Sequence, residues 1–329
     1  MMRITFCVVA FNEEKTIGRL LENLREQTYP HRDIEVILVD GLSTDGTKDL
    51  FFDFQRRCGA EFEKILVLDN PGRTLPCGWN VVLEHYSGDA VVRVDAHAEM
   101  PPDFLERNVA HLEAGEDVCG GYRPNIIDED TPWKSTLLAA ESSVFGSSIA
   151  DFRRNGTDRQ VDSVFHGAYR REVFDRVGRY NESLRRTEDN DMHYRIRRAG
   201  FVIWFHPDII SYQHTRNTLR SMLRQKYQNG YWIARTLFVT PGSVSWFYLV
   251  PALFVLGILF TGVLAGLGIW QLGALLWGLY ALFAAVTAGI ALTADPGRNI
   301  LYLLLPVLFL LIHLSYGAGT LVGLFQLKK

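Results

Sequence analysis

The sequence predicts an α/β domain built on a mainly parallel sheet with helices on both faces, followed by transmembrane α-helices. Three observations predict it. Over residues 1–122, short β-rich runs alternate with helical patterns. The first four of these β-rich runs each end in polar residues. From Thr236 to Ala294 there is no Asp, Glu, Lys or Arg, and a second uncharged run covers Asn299 to Leu327.

The strands expected are Ile4–Ala10, Ile34–Asp40, Lys64–Asp69, Ala90–Val94 and Val118–Tyr122. Between them, Lys15–Gln27, Thr47–Arg57, Leu75–Tyr86 and Pro102–Ala114 read as helices. In the first, Ile17, Leu20, Leu21 and Leu24 follow the i, i+3, i+4, i+7 spacing of a single buried stripe. Later, Glu188-Asp189-Asn190-Asp191 opens a helix that runs through His193 to Arg198 and stops at Gly200.

A membrane-crossing helix needs roughly 20 apolar residues. The uncharged runs hold three, about Val244–Trp270, Leu272–Ala294 and Ile300–Leu324. A buried helical pair in a large soluble protein is the alternative, but an ion at mid-membrane costs several kcal/mol, and uncharged runs this long suit a bilayer. Trp246, Tyr248, Trp270 and Tyr302 sit near the proposed ends, where interfacial aromatics belong. Arg216, Arg220 and Arg224 recur every four residues, as on one face of an interfacial helix whose arginines meet lipid phosphates. The expected domains are therefore 1–215 α/β, 216–243 amphipathic and 244–329 membrane-spanning.

Met1–Ala10 is too short for a signal peptide and Asn12-Glu13-Glu14 follows at once, so the large domain is expected on the cytoplasmic side of a multi-pass plasma-membrane protein. Three spans then leave Lys328-Lys329 outside, against the positive-inside tendency, while Arg298 falls on the expected side. Cys7, Cys58, Cys77 and Cys119 form no C-x-x-C pair and read as reduced thiols.

The net charge is −3, with 34 basic and 37 acidic side chains, which argues against a nucleic-acid partner. Neither G-x-G-x-x-G nor G-x-x-x-x-G-K-[ST] occurs, so a dinucleotide cofactor and a P-loop nucleotide have no obvious seat. In parallel sheets ligands bind beyond the carboxyl ends of the strands. There the sequence places Phe11-Asn12-Glu13-Glu14, then Asp40-Gly41-Leu42-Ser43-Thr44-Asp45-Gly46-Thr47, Asn70-Pro71-Gly72-Arg73 and Asp95-Ala96-His97. Each alone is an ordinary turn or cap; four in a row indicate a shared ligand site. On an extended backbone Asp95 and His97 point the same way and can share one divalent ion, which would neutralise a diphosphate.

These motifs, taken in order with Thr187-Glu188-Asp189, make the chain resemble the inverting family 2 glycosyltransferases from Ile4 to about Trp232. The Asp-Ala-His variant with trailing membrane helices is most similar to the succinoglycan-biosynthesis type, which extends lipid-linked sugars. The resemblance implies a GT-A fold, a Rossmann-like nucleotide half joined to an acceptor half. It implies that Ala10, Phe11, Glu13, Asp40 and Arg73 border the nucleoside, and that Gly167 and Glu188 line the donor. It implies Asp95, His97 and His214 as ligands of Mn²⁺ or Mg²⁺, and Asp189 as the base, with Asp191 the alternative. Imidazole at the place of a carboxylate suits Mn²⁺ better than Mg²⁺.

The implied donor is a nucleotide-diphosphate sugar such as a UDP-hexose. The implied acceptor is a hydroxyl of a polyprenyl-diphosphate-linked saccharide at the cytoplasmic membrane face. Transfer directly to polyprenyl phosphate is the alternative, although a phosphate is already anionic and has no use for a base. A processive polymerase is disfavoured, since Gln225-Lys226-Tyr227-Gln228-Asn229 lacks the Arg-Trp of the family's Gln-x-x-Arg-Trp. A non-catalytic scaffold is disfavoured because the metal and base carboxylates are present.

Overall fold

The computed structural model describes residues 1–146, 151–294, 297 and 299–326. The strands are β1 Ile4–Ala10, β2 Ile34–Asp40, β3 Lys64–Asp69, β4 Ala90–Asp95, β5 Ala98–Glu99, β6 Val118–Tyr122, β7 Asn125–Ile126, β8 Arg159–Gln160, β9 Ala168–Arg170, β10 Ile203–Ile210 and β11 Tyr212–His214. The helices are α1 Ile17–Arg25, α2 Thr47–Cys58, α3 Leu75–His85, α4 Phe104–Glu113, α5 Pro132–Ser142 and α6 Arg171–Val177. They continue with α7 Glu188–Arg198, α8 Leu219–Val239, α9 Val250–Gly266, α10 Gln271–Ala294 and α11 Leu305–Phe325. The chain forms two compact units, Met1–Pro124 with Ala150–Gln213, and Asn125–Ile149 with His214–Lys329.

The first unit is an eight-stranded sheet in the order β3-β2-β1-β4-β9-β6-β10-β8. Strands β1 to β4 are parallel; β9 runs antiparallel between β4 and β6. Both faces of the central strands are buried, which is why they read as continuous apolar runs rather than alternating ones. Alternate residues feed two cores: Phe6, Val8, Val36 and Leu38 meet the stripe Ile17, Leu20, Leu21 and Leu24. On the other face Cys7, Val9, Ile37 and Val39 lie with Trp79, Met192 and Ile196. Each fully buried leucine of that stripe contributes about 1.5–3 kcal/mol.

The chain order reverses between β1 and β4, with β2 and β3 on one side of β1 and the later strands beyond β4. A crevice opens at such a switch point, at the carboxyl ends of the strands. Val9 pairs with Asp95 across it. Cys7, Cys58, Cys77 and Cys119 are free thiols, and all but Cys77 are buried.

The second unit is helical, and three of its helices, Trp246–Gly266, Gln271–Ala294 and Ile300–Phe325, are long and apolar enough to cross a membrane. The protein is a membrane protein. Arg298, Lys328 and Lys329, on which the charge-based orientation turned, lie outside the described residues. Segment α5, inside the sequence of the expected α/β domain, packs in this unit, with Leu137 and Ala140 in one apolar cluster with Met222, Leu308 and Phe309.

The structure corrects the expected interfacial helix. Thr218 caps α8 by accepting the Ser221 N–H at 3.2 Å, so Arg216 stands before the helix and only Arg220 and Arg224 ride on it. Its other side fits closely against α11: a Cβ on Gly319 would meet the Tyr227 carbonyl, and one on Gly230 the Tyr316 carbonyl. Small residues thus bring the two backbones together, as in membrane helix pairs. Inside, Lys226 Nζ donates to Glu141 Oε1 at 2.7 Å, both side chains being about 5% exposed or less. Lys226→Met removes the cation from this buried pair, and is expected to cost about 3–5 kcal/mol. The Lys226→Met/Glu141→Leu double variant should recover most of it; thermal unfolding in detergent checks both.

Candidate active site

The loops after β1 and β2 are zipped together. Asn12 donates its N–H to Ser43 Oγ at 3.0 Å and accepts the Thr44 N–H on its side chain at 2.8 Å. Glu13 N–H reaches Thr47 Oγ1 at 2.8 Å, and Glu14 N–H reaches Asp45 Oδ2 at 3.2 Å. Much of the Asp40–Thr47 motif therefore builds this edge. Among the described residues the non-glycines with positive φ are Asn12 (+55°), Leu42 (+60°), Arg73 (+55°) and His166 (+51°). The first three follow β1, β2 and β3, and His166 precedes β9, which runs antiparallel to β4. All four thus stand at one edge of the sheet. Each costs of order 1 kcal/mol or more, and such strain collects at ligand sites.

Where β1 and β2 end, Ala10 is buried and its carbonyl accepts the Gly41 N–H at 2.7 Å, while Phe11 is half exposed. Asp40 is fully buried; Oδ2 accepts the Ser43 N–H at 3.1 Å and Oδ1 has no hydrogen-bond partner. Asn70, at the end of β3, is equally buried and its Oδ1 is also unpartnered. Two orphaned buried acceptors at adjacent strand ends call for a donor from outside the chain. Asn70 appeared in the sequence only as a turn former; its signal was position, directly after a strand. Arg73 is exposed on its loop.

Asp95 ends β4, but Ala96 and His97 form a turn rather than extended chain. The i, i+2 argument for His97 therefore does not hold locally, and His97 Nδ1 faces Glu13 Oε1 at 3.5 Å. The histidine beside Asp95 is His166, whose Nε2 lies 3.7 Å from Asp95 Oδ2. Burial alone would raise the Asp95 pKa; His166, His97 and Arg93 outweigh it and hold the carboxyl well below the usual range. Burial pushes His166 down to about 4, so it is neutral at pH 7. An ionised carboxylate with a neutral imidazole nearby is a donor set that fits a divalent transition-metal cation. His214 opens the second unit, where its Nδ1 pairs with Asp128.

Two residues before Asp95 on β4, and so on the same face, Arg93 is buried over the ring of Trp79. Its guanidinium donates to Glu188 Oε1 at 2.8 Å, and its N–H to the Gly167 carbonyl at 3.0 Å. That bond ties the amino end of α7 to the strand carrying Asp95. The clue in the sequence was a lone arginine inside the apolar run Ala90–Val94. Gly167 has a packing reason to be glycine: a Cβ there would meet Val164 at 2.8 Å and the Cys119 carbonyl at 2.9 Å.

Glu188 is buried and Asp189 partly so. Asp191 is committed elsewhere, holding Arg195 Nε at 2.8 Å while that guanidinium also donates to the Val177 and Arg179 carbonyls. Asp189 accepts only its neighbour's N–H, from Asn190 at 2.9 Å, among the described side-chain bonds. Burial raises the pKa of both Glu188 and Asp189; the Arg93 charge pulls each back down, and Asp95 pushes Asp189 up. The pair therefore titrates nearer neutrality than free carboxylates do. A rate needing ionised Asp189 should fall as pH drops through that range. Arg93→Met removes the positive charge that holds both groups down, so the acidic limb of the kcat profile should move to higher pH.

A second cluster, His111, Glu116 and His206, lies apart from this edge in the first unit. Its imidazoles stack at 3.5 Å between centroids and 11° between planes, so their in-plane lone pairs run parallel instead of converging on an ion. His206 Nε2 bonds Glu116 at 2.8 Å and His111 Nε2 bonds Asp208 at 3.1 Å, which accounts for the cluster as packing.

Residues 5–178 match the family described as Glycosyl transferase family 2. The "Succinoglycan biosynthesis protein ExoA" of Rhizobium meliloti (strain 1021) is 28% identical over 332 residues, 98% of this chain and 95% of that protein. A Methanococcus voltae protein is 25% identical over 336 residues, 98% of this chain and 97% of its own. Its name is "Dolichyl N-acetyl-alpha-D-glucosaminyl phosphate 3-beta-D-2,3-diacetamido-2,3-dideoxy-beta-D-glucuronosyltransferase". Among solved structures, the mannosyltransferase PcManGT of Pyrobaculum calidifontis, in complex with GDP-Man and Mn²⁺, superposes with TM-score 0.59 at 18% identity. It covers 96% of this chain and 87% of that one. The first unit has the GT-A fold.

Proposed function

Because the chain belongs to glycosyl transferase family 2, we propose that it moves a sugar, with inversion, from a nucleotide-diphosphate sugar to a hydroxyl of a polyprenyl-diphosphate-linked saccharide. The observation that carries this reading is the joining of Asp95 to Glu188-Asp189 through Arg93 at the β1/β4 switch point. One carboxylate stands where a donor diphosphate and its cation would lie; the other is placed to take a proton. The name of the Methanococcus voltae relative, which includes a dolichyl-linked sugar phosphate, supports the acceptor class. The three apolar helices support a membrane-held acceptor.

In this reading Ala10, Phe11, Asp40 and Arg73 border the nucleoside, and the orphaned Asp40 and Asn70 oxygens accept its N–H or O–H groups. Asp95 holds a divalent ion, with His97 as a further candidate and Glu13 orienting it. When bound, the ion supplies positive charge that offsets the diphosphate leaving group. Asp189 removes the acceptor proton as the glycosidic bond forms. Glu188, fixed by Arg93, sets the position of α7 and lines the donor. In this reading residues 1–215 carry the catalysis and 244–329 span the membrane, with α5 and α8 packed in the helical unit, a UDP-hexose as donor and a cytoplasmic active site at the plasma membrane.

Full-length protein in detergent, given a panel of nucleotide sugars and either a polyprenyl-diphosphate saccharide or polyprenyl phosphate, tests this. Transfer from one donor to the saccharide is expected. No hydrolysis or transfer from any donor would overturn the enzyme assignment.

A further inference from the structure

Beside Asp95 stands a histidine that the D-x-H pattern leaves unused. His166 lies two residues before β9, and since β9 runs antiparallel to β4 with Ala168 opposite Val92, it comes level with the end of β4. The residue is 3% exposed and its backbone is left-handed at φ +51°. Nδ1 lies 2.9 Å from Ser211 Oγ. Nε2 has no hydrogen-bond partner and points at Asp95 Oδ2, 3.7 Å away.

We infer that His166 Nε2 is a ligand, together with Asp95, of the divalent cation that the preceding reading places at this edge. The inference rests on that reading. Two atoms bound to one cation at about 2.1 Å each, roughly 90–120° apart, lie about 3.0–3.7 Å from one another. The observed 3.7 Å is at the upper end of that range and too long for a hydrogen bond. A histidine that merely packed against Asp95 would close to bonding distance, since an unmade bond at a buried polar atom costs about 1–3 kcal/mol.

The ring is also oriented as a ligand. Nδ1 pairs with the Ser211 hydroxyl, and with Nδ1–H as the donor of that bond the Nε2 lone pair is free for a cation beside Asp95; ligating histidines are held in this way by their other nitrogen. The left-handed backbone at His166 is the strain that brings the ring to that place.

Pulsed EPR of Mn²⁺, alone and with UDP or GDP, reads directly coordinated imidazole nitrogen without reference to activity. Wild-type protein should show it, and His166→Asn placed on a His97→Gln/His214→Gln background should lose it, with Mn²⁺ affinity falling about 10-fold or more. Asn tolerates positive φ, so the backbone is preserved. The His97→Gln/His214→Gln variant should keep a nitrogen coupling, which tests the assignment even where His166→Asn fails to fold. Mn²⁺ bound with its nitrogen coupling intact in the triple variant, or with none left in the double variant, overturns the inference alone. No Mn²⁺ binding by the wild type overturns the metal reading with it.

Discussion

Asp189→Asn is expected to lower sugar transfer by about 10²–10⁴ while nucleotide-sugar affinity stays within a few-fold of wild type. The base acts only as the acceptor oxygen attacks, so its loss falls on kcat and spares the ground state. The amide keeps the size of the side chain and the acceptor of the Asn190 N–H. Asp191→Asn should behave differently, because Asp191 is spent on Arg195 and through it on the α6–α7 connection. Its main effect should be on thermal stability. Near-wild-type turnover by Asp189→Asn, with loss in Asp191→Asn, would exchange the two roles.

Asp95→Ala, or a chelator in excess, should lower transfer by a similar or larger factor. The positive charge that offsets a leaving diphosphate is worth several kcal/mol, and each 1.36 kcal/mol is tenfold in rate. Mn²⁺ should restore chelated wild-type enzyme more fully than Mg²⁺, given imidazoles near the carboxylate. It should not restore Asp95→Ala. Unlike Asp189→Asn, this variant should also lose donor affinity, so isothermal titration with the nucleotide diphosphate separates the two. Full activity in excess chelator would leave Asp95 as a strand-end residue paired with His166.

Why the sheet was legible and the site only partly so follows from the kinds of signal involved. Strands β1 to β4 are buried on both faces, so composition alone marked them, and only β4 ran one residue further than expected. The ends of the helices between these strands moved by a residue or two, as frayed ends do, while the first apolar helix, Val250–Gly266, is shorter at both ends than its uncharged run. The polar strand ends were legible because each follows an apolar run. Their partnerships were not. His97 was read from strand periodicity, yet the chain turns at Ala96, and the imidazole found beside Asp95 is that of His166, 69 positions after His97. Arg93 reads as an oddity in a strand until Glu188 is seen beside it.

The helical unit shows the same limit. Its three apolar runs were plain, but the contact of α8 with α11 depends on Gly230, Gly319 and Gly323 meeting backbone across the pair. That spacing was present in the sequence and indistinguishable there from ordinary glycine use in membrane helices. Segment α5 joined this unit for a reason no local pattern carries, since Glu141 meets Lys226 85 positions away. The four-residue arginine repeat was real, but the Thr218 cap starts the helix after Arg216.

Transfer to a hydroxyl through base-assisted inversion is read from the bond formed: product made by the purified full-length protein from one labelled nucleotide sugar and a polyprenyl-diphosphate saccharide, analysed by NMR for linkage and anomeric configuration. A glycosidic bond to a saccharide hydroxyl, of configuration opposite to the donor's and absent with Asp189→Asn, is the predicted result. Sugar attached to the phosphate of a polyprenyl phosphate, or configuration retained, would contradict it.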